Sequence, residues 1–411
     1  MVKKTCWGPI LEGQIRNQAI TTLKEIVKDL TKHLRDQEDV GPSLADGHAG
    51  ISLLPYYLEK SMPNRKIELD FEDLLTKSIN ELRSLETTDF SFYFGPLGIM
   101  WTQNHIGFNS RLELNKFEAY QDFFFLELID KNEFKYKVDV LNGLLGLGVF
   151  GLQRFENYHL SELFPVLVSL IEKCSVRNTH GRTWKFRSPI NKKAKAGDKW
   201  HYNLGLAHGS PGVISFLSAV LSKGIERKST SRLLHEAVRW LLWVDEENKG
   251  RCFPGGFTSS VRNAQEVGRL GWCYGDLGVA TSLLHASIVL ESKKLRQDAD
   301  RILYRSLDDK RFQNANSDAS LCHGTAGVGH ILNRYYHYTG DPFIKKKAIQ
   351  FFVKTFEMKS LNSGLGGLPS GARGKKLDPS FLFGSTGIAL SLIAASFPVE
   401  PEWDKIMLLS L

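Results

Sequence analysis

Four side chains that could bind a metal or carry a proton occupy nearly the same register in three short glycine motifs. His208 directly precedes the first glycine of the motif in GLAHGSPG. Cys273 lies two residues before it in WCYGDLG, and Cys322 and His323 lie two and one residues before it in LCHGTAG. Two cysteines and a histidine can hold zinc while a fourth position stays open for water or substrate. The pattern therefore indicates Cys273, Cys322 and His323 as zinc ligands, with His208 in the same register.

An ordinary structural role remains open for each of these residues taken alone. Buried cysteines often act as small apolar side chains, and His208 and His323 could be hydrogen-bonded structural imidazoles. No Cys-x-x-Cys or His-x-x-x-His spacing is present, so the shared register is what favours a metal site. The five cysteines are scattered and odd in number, which argues against a disulfide framework and leaves thiols free for ligation or catalysis.

Seven of the Gly-x-x-Gly pairs in the chain recur at intervals of 48 to 66 residues. The pairs are Gly47/Gly50, Gly95/Gly98, Gly143/Gly146, Gly209/Gly212, Gly275/Gly278, Gly324/Gly327 and Gly384/Gly387. Each pair leads at once into an apolar run with the length of a buried helix, such as ISLLPYYLEK or IALSLIAASF. The intervening segments have charged faces, as in LLHEAVRWLLWVDEENK at 233–249, and are typical of amphipathic helices. Each repeat is predicted to be one helical hairpin.

Helices that are apolar on most faces need partners on every side. This predicts an all-α fold, an α/α toroid of seven hairpins with seven inner and seven outer helices, forming a single domain over residues 1–411. In such a ring the residues before each first glycine converge on the mouth of a central cavity. We expect the glycines to permit left-handed backbone at the turns and close approach of neighbouring turns.

Two intervals of 66 residues flank the fourth motif, against 48 or 49 for the short ones, and indicate insertions. The first insertion, about residues 153–203, is predicted to be basic and partly β. Nine basic residues and only one acidic residue lie between Lys173 and Lys199, and TWKFR at 183–187 alternates as a half-exposed strand does. A solvated loop and a docking surface for a peptide or another acidic partner are both open.

The composition is that of a globular protein, with 411 residues, 42% hydrophobic and 24% charged residues, and a net charge of +8. The apolar, uncharged stretch 382–399 is interrupted by glycine, serine and proline, and the first residues lack an apolar signal core. We therefore expect no transmembrane segment, no secretory signal and a cytoplasmic location. The dispersed charge, without a nucleic-acid motif, argues against a nucleic-acid partner.

The three motifs GLAHGSPG, WCYGDLG and LCHGTAG closely resemble those of the lanthionine synthetase C-like family. The seven glycine motifs extend the resemblance from Gly47 to Gly387. The family's zinc-dependent cyclases close thioether rings in lanthipeptides, on an α/α toroid with a smaller SH2-like insertion. The resemblance implies one Zn²⁺ site, with the ligands Cys273, Cys322 and His323, and it makes His208 the active-site histidine.

Three further positions match the family near the zinc. The family aspartate falls on Asp139 of KVDVLNGLLG, where Val138 stands at a position that the family pattern gives to tyrosine. Arg269 and Tyr274 flank Cys273 at matching positions. In the reaction of this family His208 would carry the proton, Asp139 would orient or charge its ring, and Arg269 would stabilise a developing oxyanion, with a surface ion pair as the alternative for Arg269. Tyr274 has no assigned step.

The implied reaction is Michael-type addition of a peptide cysteine thiolate to dehydroalanine or dehydrobutyrine. The substrate would be a dehydrated precursor peptide with a leader and a core. Because the first glycine motif begins at Gly47, we expect a separate dehydratase, together with an exporter, as in other stand-alone cyclase systems. Peripheral association with a membrane-bound biosynthesis and export complex is compatible with this expectation.

Three alternatives remain at this stage. A relative of the same fold could add glutathione to dehydroamino acids. A non-catalytic helical scaffold could hold a structural zinc, which normally has four protein ligands, the fourth being for instance Cys252 or His330. An unrelated toroid enzyme, such as a prenyltransferase subunit or a glycosidase, would need other zinc spacing or paired carboxylates, which these motifs do not supply.

Overall fold

The computed structural model describes residues 6–36, 40–65, 67–84, 91–107, 137–154, 163–187, 200–258, 260–264, 268–308, 318–360, 363–370 and 377–411. Within these residues the chain forms thirteen α-helices and five short strands. None of the helices in this part of the chain combines the length and apolar character needed to cross a membrane.

Each of the seven glycine motifs starts a helix at the residue directly after its first glycine. These glycine-led helices are α2 (His48–Ser61), α4 (Pro96–Ile106), α5 (Leu144–Gln153), α7 (Ser210–Ser222), α9 (Asp276–Val289), α11 (Thr325–Thr339) and α13 (Ser385–Ser396). They are buried on most faces, and in α13 every residue is buried. The predicted apolar helices are therefore present at all seven motifs.

Six amphipathic helices alternate with them. They are α1 (Gly13–Asp36), α3 (Phe71–Ser84), α6 (Leu163–Lys173), α8 (Arg227–Glu247), α10 (Lys293–Asp308) and α12 (Pro342–Glu357). Such helices bury one stripe and keep charges outside, as the charged segment at 233–249 predicts for α8. The remaining predicted outer helix falls between the second and third motifs, on residues 108–136, outside the described residues.

The chain divides into two compact units. The first comprises Ser110–Phe312 with Lys405–Leu411, and in it α7 packs against both α5 and α9. The second comprises Val2–Asn109 with Gln313–Asp404, and in it α11, α13, α2 and α4 pack side by side in that order. Amphipathic helices cover these rows, for example α8 on α7 and α12 on α11.

Steric crowding explains the glycines better than left-handed backbone does. Of the first glycines only Gly275 has a positive φ, 102°, whereas the other six have extended backbone, so the expected left-handed turn is wrong there. A Cβ atom on Gly143 would lie 2.0 Å from the carbonyl oxygen of Lys137. At Gly98, a second glycine, it would lie 2.7 Å from the Cβ atom of Leu44 in the preceding motif. The close approach of neighbouring turns is confirmed.

Five short strands precede or flank the fourth motif. A hairpin of β1 (Ser175–Asn178) and β2 (Gly181–Trp184) packs on α8, and β4 (Trp200–Asn203) pairs antiparallel with β3 (Phe186–Arg187) and β5 (Gly256–Phe257). The predicted strand at 183–187 is thus divided between β2 and β3. Residues 155–162 and 188–199 of the predicted insertion, with its lysines 192, 193, 195 and 199, lie outside the described residues. The SH2-like character of the insertion and the single-domain organisation stay predictions.

Candidate metal centre and active site

The turn before each glycine-led helix presents two side chains of different exposure. We call the residue two before the first glycine the rear turn residue and the residue directly before it the front turn residue. The rear residues are Ala45, Tyr93, Leu141, Ala207, Cys273, Cys322 and Leu382, and all are buried except the half-buried Leu141. The front residues are Asp46, Phe94, Asn142, His208, Tyr274, His323 and Phe383, and all are at least partly exposed. The turns therefore keep cysteine thiols at the back and put imidazoles and aromatic rings at the front.

Backbone hydrogen bonds join neighbouring turns within each unit. In the first unit the Val140 N–H donates to the Ala207 carbonyl at 3.1 Å, which ties the Asp139 turn to the His208 turn. In the second unit the N–H of Cys322 donates to Leu382 at 3.0 Å, that of Leu382 to Ala45 at 3.2 Å, and that of Ala45 to Tyr93 at 2.8 Å. These bonds hold consecutive turns in one register.

Three of the sequence-predicted residues form a group that could hold a metal ion. One ligand atom each from Cys273, Cys322 and His323 lies within 4.8 Å of the others. The two cysteines are 8% and 4% exposed, and the His323 side chain is 22% exposed. Within the described residues no fourth histidine, cysteine or carboxylate belongs to this group, so neither Cys252 nor His330 closes it.

Asp318 is a partner of His323 that sequence reasoning missed. Its Oδ2 lies 3.3 Å from Nε2 of His323, and its Oδ1 accepts the Ser320 N–H at 2.7 Å. Burial raises the pKa of Asp318, but the hydrogen bonds from His323 and Ser320 outweigh burial and lower it below its ordinary value. A carboxylate on one ring nitrogen fixes the imidazole and leaves Nδ1 for a metal, as is common around zinc. The sequence does contain a signal for Asp318. An aspartate stands six residues before the first glycine both in this motif and in the seventh, where it is Asp378.

His208 and Asp139 form a direct pair in the first unit. Nδ1 of His208 donates to Oδ2 of Asp139 at 2.7 Å, while Oδ1 of Asp139 accepts the backbone N–H groups of Leu141 at 2.7 Å and Asn142 at 3.1 Å. Because an ionised carboxylate can only accept, the proton must sit on Nδ1 in the neutral ring. Nε2 of His208 is then the nitrogen that can take up or release a proton.

The environment of His208 favours its protonated form. Burial lowers the pKa of this imidazole, but the hydrogen bond to Asp139 and the negative charges of Asp139 and Cys273 raise it above its ordinary value. The His208 side chain is nevertheless 31% exposed, so a substrate can reach it. This combination of a raised pKa and access suits a proton carrier.

Tyr274 and Arg269 lie close to Cys273 in sequence but have different surroundings. The ring of Tyr274 lies 6.0 Å from the His208 ring, between centroids. Arg269 is exposed, and its carbonyl oxygen is the atom that a Cβ on Gly275 would meet at 1.9 Å. The structure thus brings Tyr274 to the His208–Asp139 pair, while the role of the Arg269 guanidinium stays a prediction.

A buried ion network follows directly on the Cys273 turn, and sequence reasoning missed it. Asp276, three residues after Cys273, accepts from Arg305 at 3.1 Å and from the Phe253 N–H at 2.9 Å, and Arg305 also donates to Asp245 at 2.8 Å. Burial raises the pKa of Asp276 to about 6, against the opposing charge of Arg305. The network anchors the first turn of α9 and thereby the turn that carries Cys273.

Comparison with known proteins places these residues in a family context. A model of the lanthionine synthetase C-like proteins matches residues 38–408. The nisin biosynthesis protein NisC of Lactococcus lactis subsp. lactis is 20% identical over 358 residues, covering 80% of this chain and 81% of NisC. The solved structure of nisin cyclase matches with a TM-score of 0.76 and 18% identity, covering 94% of this chain and 96% of the other. This likeness confirms the predicted fold, an α/α toroid.

Proposed function

Because the chain belongs to the lanthionine synthetase C-like family, we propose that it is a lanthipeptide cyclase. It would add cysteine thiols of a ribosomally made precursor peptide to dehydroalanine or dehydrobutyrine residues of the same peptide, forming (methyl)lanthionine rings. The observation that carries the proposal is the group of Cys273, Cys322 and His323 within 4.8 Å, together with the His208–Asp139 pair.

The donor set fits zinc. Cysteine and imidazole are preferred zinc ligands, and three protein ligands leave the open position that distinguishes a catalytic site from a structural one. The Asp318 carboxylate supports the fit, since it holds the second ring nitrogen of His323. When bound, zinc would act as a Lewis acid that favours the thiolate form of a substrate cysteine at neutral pH.

His208 would accept and return the proton that is transferred in the reaction. A free thiol with a pKa of about 8.5 is only a few per cent ionised at neutral pH, so the substrate S–H must lose its proton before it attacks. The S–Cβ bond then forms, the carbon–carbon double bond of the dehydro residue breaks, and the α-carbon gains a proton. Nε2 of His208 can accept the thiol proton and return it to the α-carbon, so the addition needs no oxidant or reductant.

Asp139 would act through His208. Its Oδ2 keeps the ring in one tautomer, and its own position is held by the backbone N–H groups of its turn. Arg269 would stabilise the enolate oxygen, and Tyr274 would line the site beside His208. The separate dehydratase, the exporter, the cytoplasmic location and the association with a membrane complex remain predictions.

Ring closure can be tested with a synthetic peptide that carries one dehydroalanine and one cysteine. After incubation with the zinc-loaded protein, a thiol-alkylating reagent distinguishes a closed thioether, which resists alkylation at unchanged mass, from the open peptide. We expect closure by the wild type and by His235→Ala, an exposed histidine on α8, but not by His208→Ala. A peptide that stays fully alkylatable with the wild-type protein would contradict the proposal. Preferential addition of supplied glutathione to the dehydroalanine would favour the glutathione-adding alternative.

A further inference from the structure

We propose that three front turn residues of the second unit, Phe383, Asp46 and Phe94, form a strip that binds the substrate residues flanking the reacting cysteine. The strip would prefer apolar side chains at its aromatic positions and a cationic side chain at Asp46. This inference rests on the proposed cyclase function and specifies which peptide sequences the site favours.

The strip is continuous with the metal-binding turn. Backbone hydrogen bonds run from Cys322 to Leu382, from Leu382 to Ala45 and from Ala45 to Tyr93. Each of these rear residues directly precedes a front residue, so the front side chains follow one another in the order His323, Phe383, Asp46, Phe94. The Phe383 ring begins the strip 6.1 Å from the His323 ring, between centroids. A peptide whose cysteine reaches the metal group therefore meets these side chains next.

The aromatic positions are exposed where burial would be expected. Phe94 is 45% exposed, which makes it one of three large apolar side chains with high exposure among the described residues. Phe383 is half-buried. Leaving an aromatic ring in water forgoes the favourable free energy of its burial. A front residue need not be apolar, since Asn142 serves at the third turn. Two partly exposed rings, at the first and third positions of the strip beside the metal-binding turn, are typical of a surface that an apolar ligand covers.

Asp46 gives the strip a charge between its two rings. The residue is exposed, and its Oδ1 accepts the hydroxyl of Ser43, which fixes the carboxylate on the front of the turn. A carboxylate held in this way attracts a lysine or arginine side chain and disfavours an acidic one. The strip therefore predicts a pattern in the substrate: apolar residues next to the cysteine and farther along, with a basic residue between them.

The test measures binding apart from chemistry. Fluorescently labelled peptides carry serine in place of the reacting cysteine and either leucine or serine at the flanking positions, with lysine or glutamate between them. Affinities are measured by fluorescence anisotropy for the zinc-loaded wild type, Phe94→Ala, Phe383→Ala and Asp46→Asn. Phe343→Ala is the matched control, because Phe343 is also exposed, 37%, but lies in the first turn of α12 away from the glycine turns.

We expect the wild type to prefer the leucine peptide about tenfold, and Phe94→Ala and Phe383→Ala to lose most of this preference while binding the serine peptide unchanged. Asp46→Asn should abolish the preference for lysine over glutamate and retain the preference for leucine. Phe343→Ala should behave as the wild type. Zinc content and thermal unfolding of each variant show whether the metal group and the fold are intact.

Equal affinity of the wild type for the leucine and serine peptides would overturn the proposed strip. An equal loss of affinity for the two peptides in Phe94→Ala would overturn it as well. The cyclase proposal fails in a different way, when versions of the bound peptides that carry both the cysteine and a dehydroalanine stay open with the wild-type protein. The two failures are therefore distinguishable.

Discussion

Two histidine–aspartate pairs of the molecule have nearly the same contact and opposite surroundings. In the first unit His208 contacts Asp139 at 2.7 Å, and the two side chains are 31% and 10% exposed. In the second unit His330 contacts Asp404 at 3.0 Å, and both side chains are 0% exposed. The neighbours of the pair, not the pair itself, therefore determine what each histidine can do.

The surroundings shift the two imidazoles in opposite directions. Burial lowers the pKa of His330, with the charge of Arg334 acting in the same sense, and the hydrogen bond that the ring donates to Asp404 does not compensate. The His330 ring also stacks on Trp403 with 4.5 Å between centroids, while Arg334 donates to the same Asp404 oxygen at 2.8 Å. At His208 the effect of Asp139 outweighs that of burial, and the pKa of the His208 imidazole is raised. His330 is thus suited to a neutral structural role, whereas the surroundings of His208 support its proposed role as proton carrier.

This difference also bears on the scaffold alternative. A structural zinc would need a fourth protein ligand, for which the sequence offers Cys252 or His330. In the structure Nε2 of His330 is engaged by Asp404, and this histidine does not belong to the group of Cys273, Cys322 and His323. The described residues therefore favour an open, three-ligand site.

The largest effect is expected on activity. Changing His208→Ala should lower the rate of ring closure by about 10²- to 10⁴-fold, because it removes the proton carrier, without changing zinc content. His330→Ala should leave the rate per folded molecule within a few-fold of the wild type and reduce stability instead. Single-turnover thioether formation and urea unfolding separate these outcomes, and a large rate loss in His330→Ala would erase the contrast.

The next effect is on stability. Asp404→Ala leaves Arg334 buried, with its hydrogen bonds to Glu400 at 3.0 Å and to the Pro401 carbonyl at 3.3 Å but without its carboxylate partner Asp404. Losing one partner of a buried ion pair costs about 3–5 kcal/mol of the free energy of unfolding. Asp139→Ala removes a carboxylate whose partner, His208, is 31% exposed, and it should cost less than half as much. Urea titrations of both variants at neutral pH measure the difference, and equal destabilisation would show that burial does not distinguish the pairs.

The buried pair should also weaken in acid. Although burial raises the pKa of Asp404, the charge of Arg334 and the hydrogen bond with His330 lower it to about 2, below the ordinary value of 3.8. Its contribution is therefore fully present above about pH 4 and is lost as the pH falls through about 2, an effect of about 2 kcal/mol. The stability difference between the wild type and Asp404→Asn, measured from neutral pH to about pH 3, should shrink. A constant difference would contradict this assignment.

The His208–Asp139 pair should respond at the other end of the pH range with a smaller effect. Because the folded pKa of His208 is raised, its stabilisation by Asp139 is fully present below the unfolded value of about 6.5 and is lost as the pH rises through the folded value. The stability difference between the wild type and Asp139→Asn should therefore decrease from about pH 6 to about pH 9. Nuclear magnetic resonance titration of the His208 ring should give a lower pKa in Asp139→Asn, and an unchanged value would exclude the coupling.

The helix starts could be predicted from sequence because they depend on local crowding. A Cβ at Gly143 would meet the Lys137 carbonyl within the same turn, so the Gly-x-x-Gly pattern marks the point where each helix begins. The register of Cys273, Cys322 and His323 followed from the same repeat. Which residue of a turn is exposed and which is buried could not be predicted, since the front and rear turn residues are adjacent in sequence.

Contacts between distant segments were also beyond sequence reasoning. Asp318 is close to His323 in sequence, but its contact with Nε2 depends on the shape of the turn. The pairing of His330 with Asp404 spans 74 residues. The pairing of Asp276 with Arg305 joins the start of α9 to the end of α10. Charged residues at such separations have too many possible partners for spacing alone to select one.

Zinc content of the wild type, His208→Ala and Cys322→Ala proteins, measured side by side by elemental analysis, tests the central claim that ligation and proton transfer belong to different residues. The account predicts about one zinc per chain in the wild type and in His208→Ala, and none in Cys322→Ala, with both variants inactive in ring closure. Stoichiometric zinc retained in Cys322→Ala, or lost in His208→Ala, would contradict it.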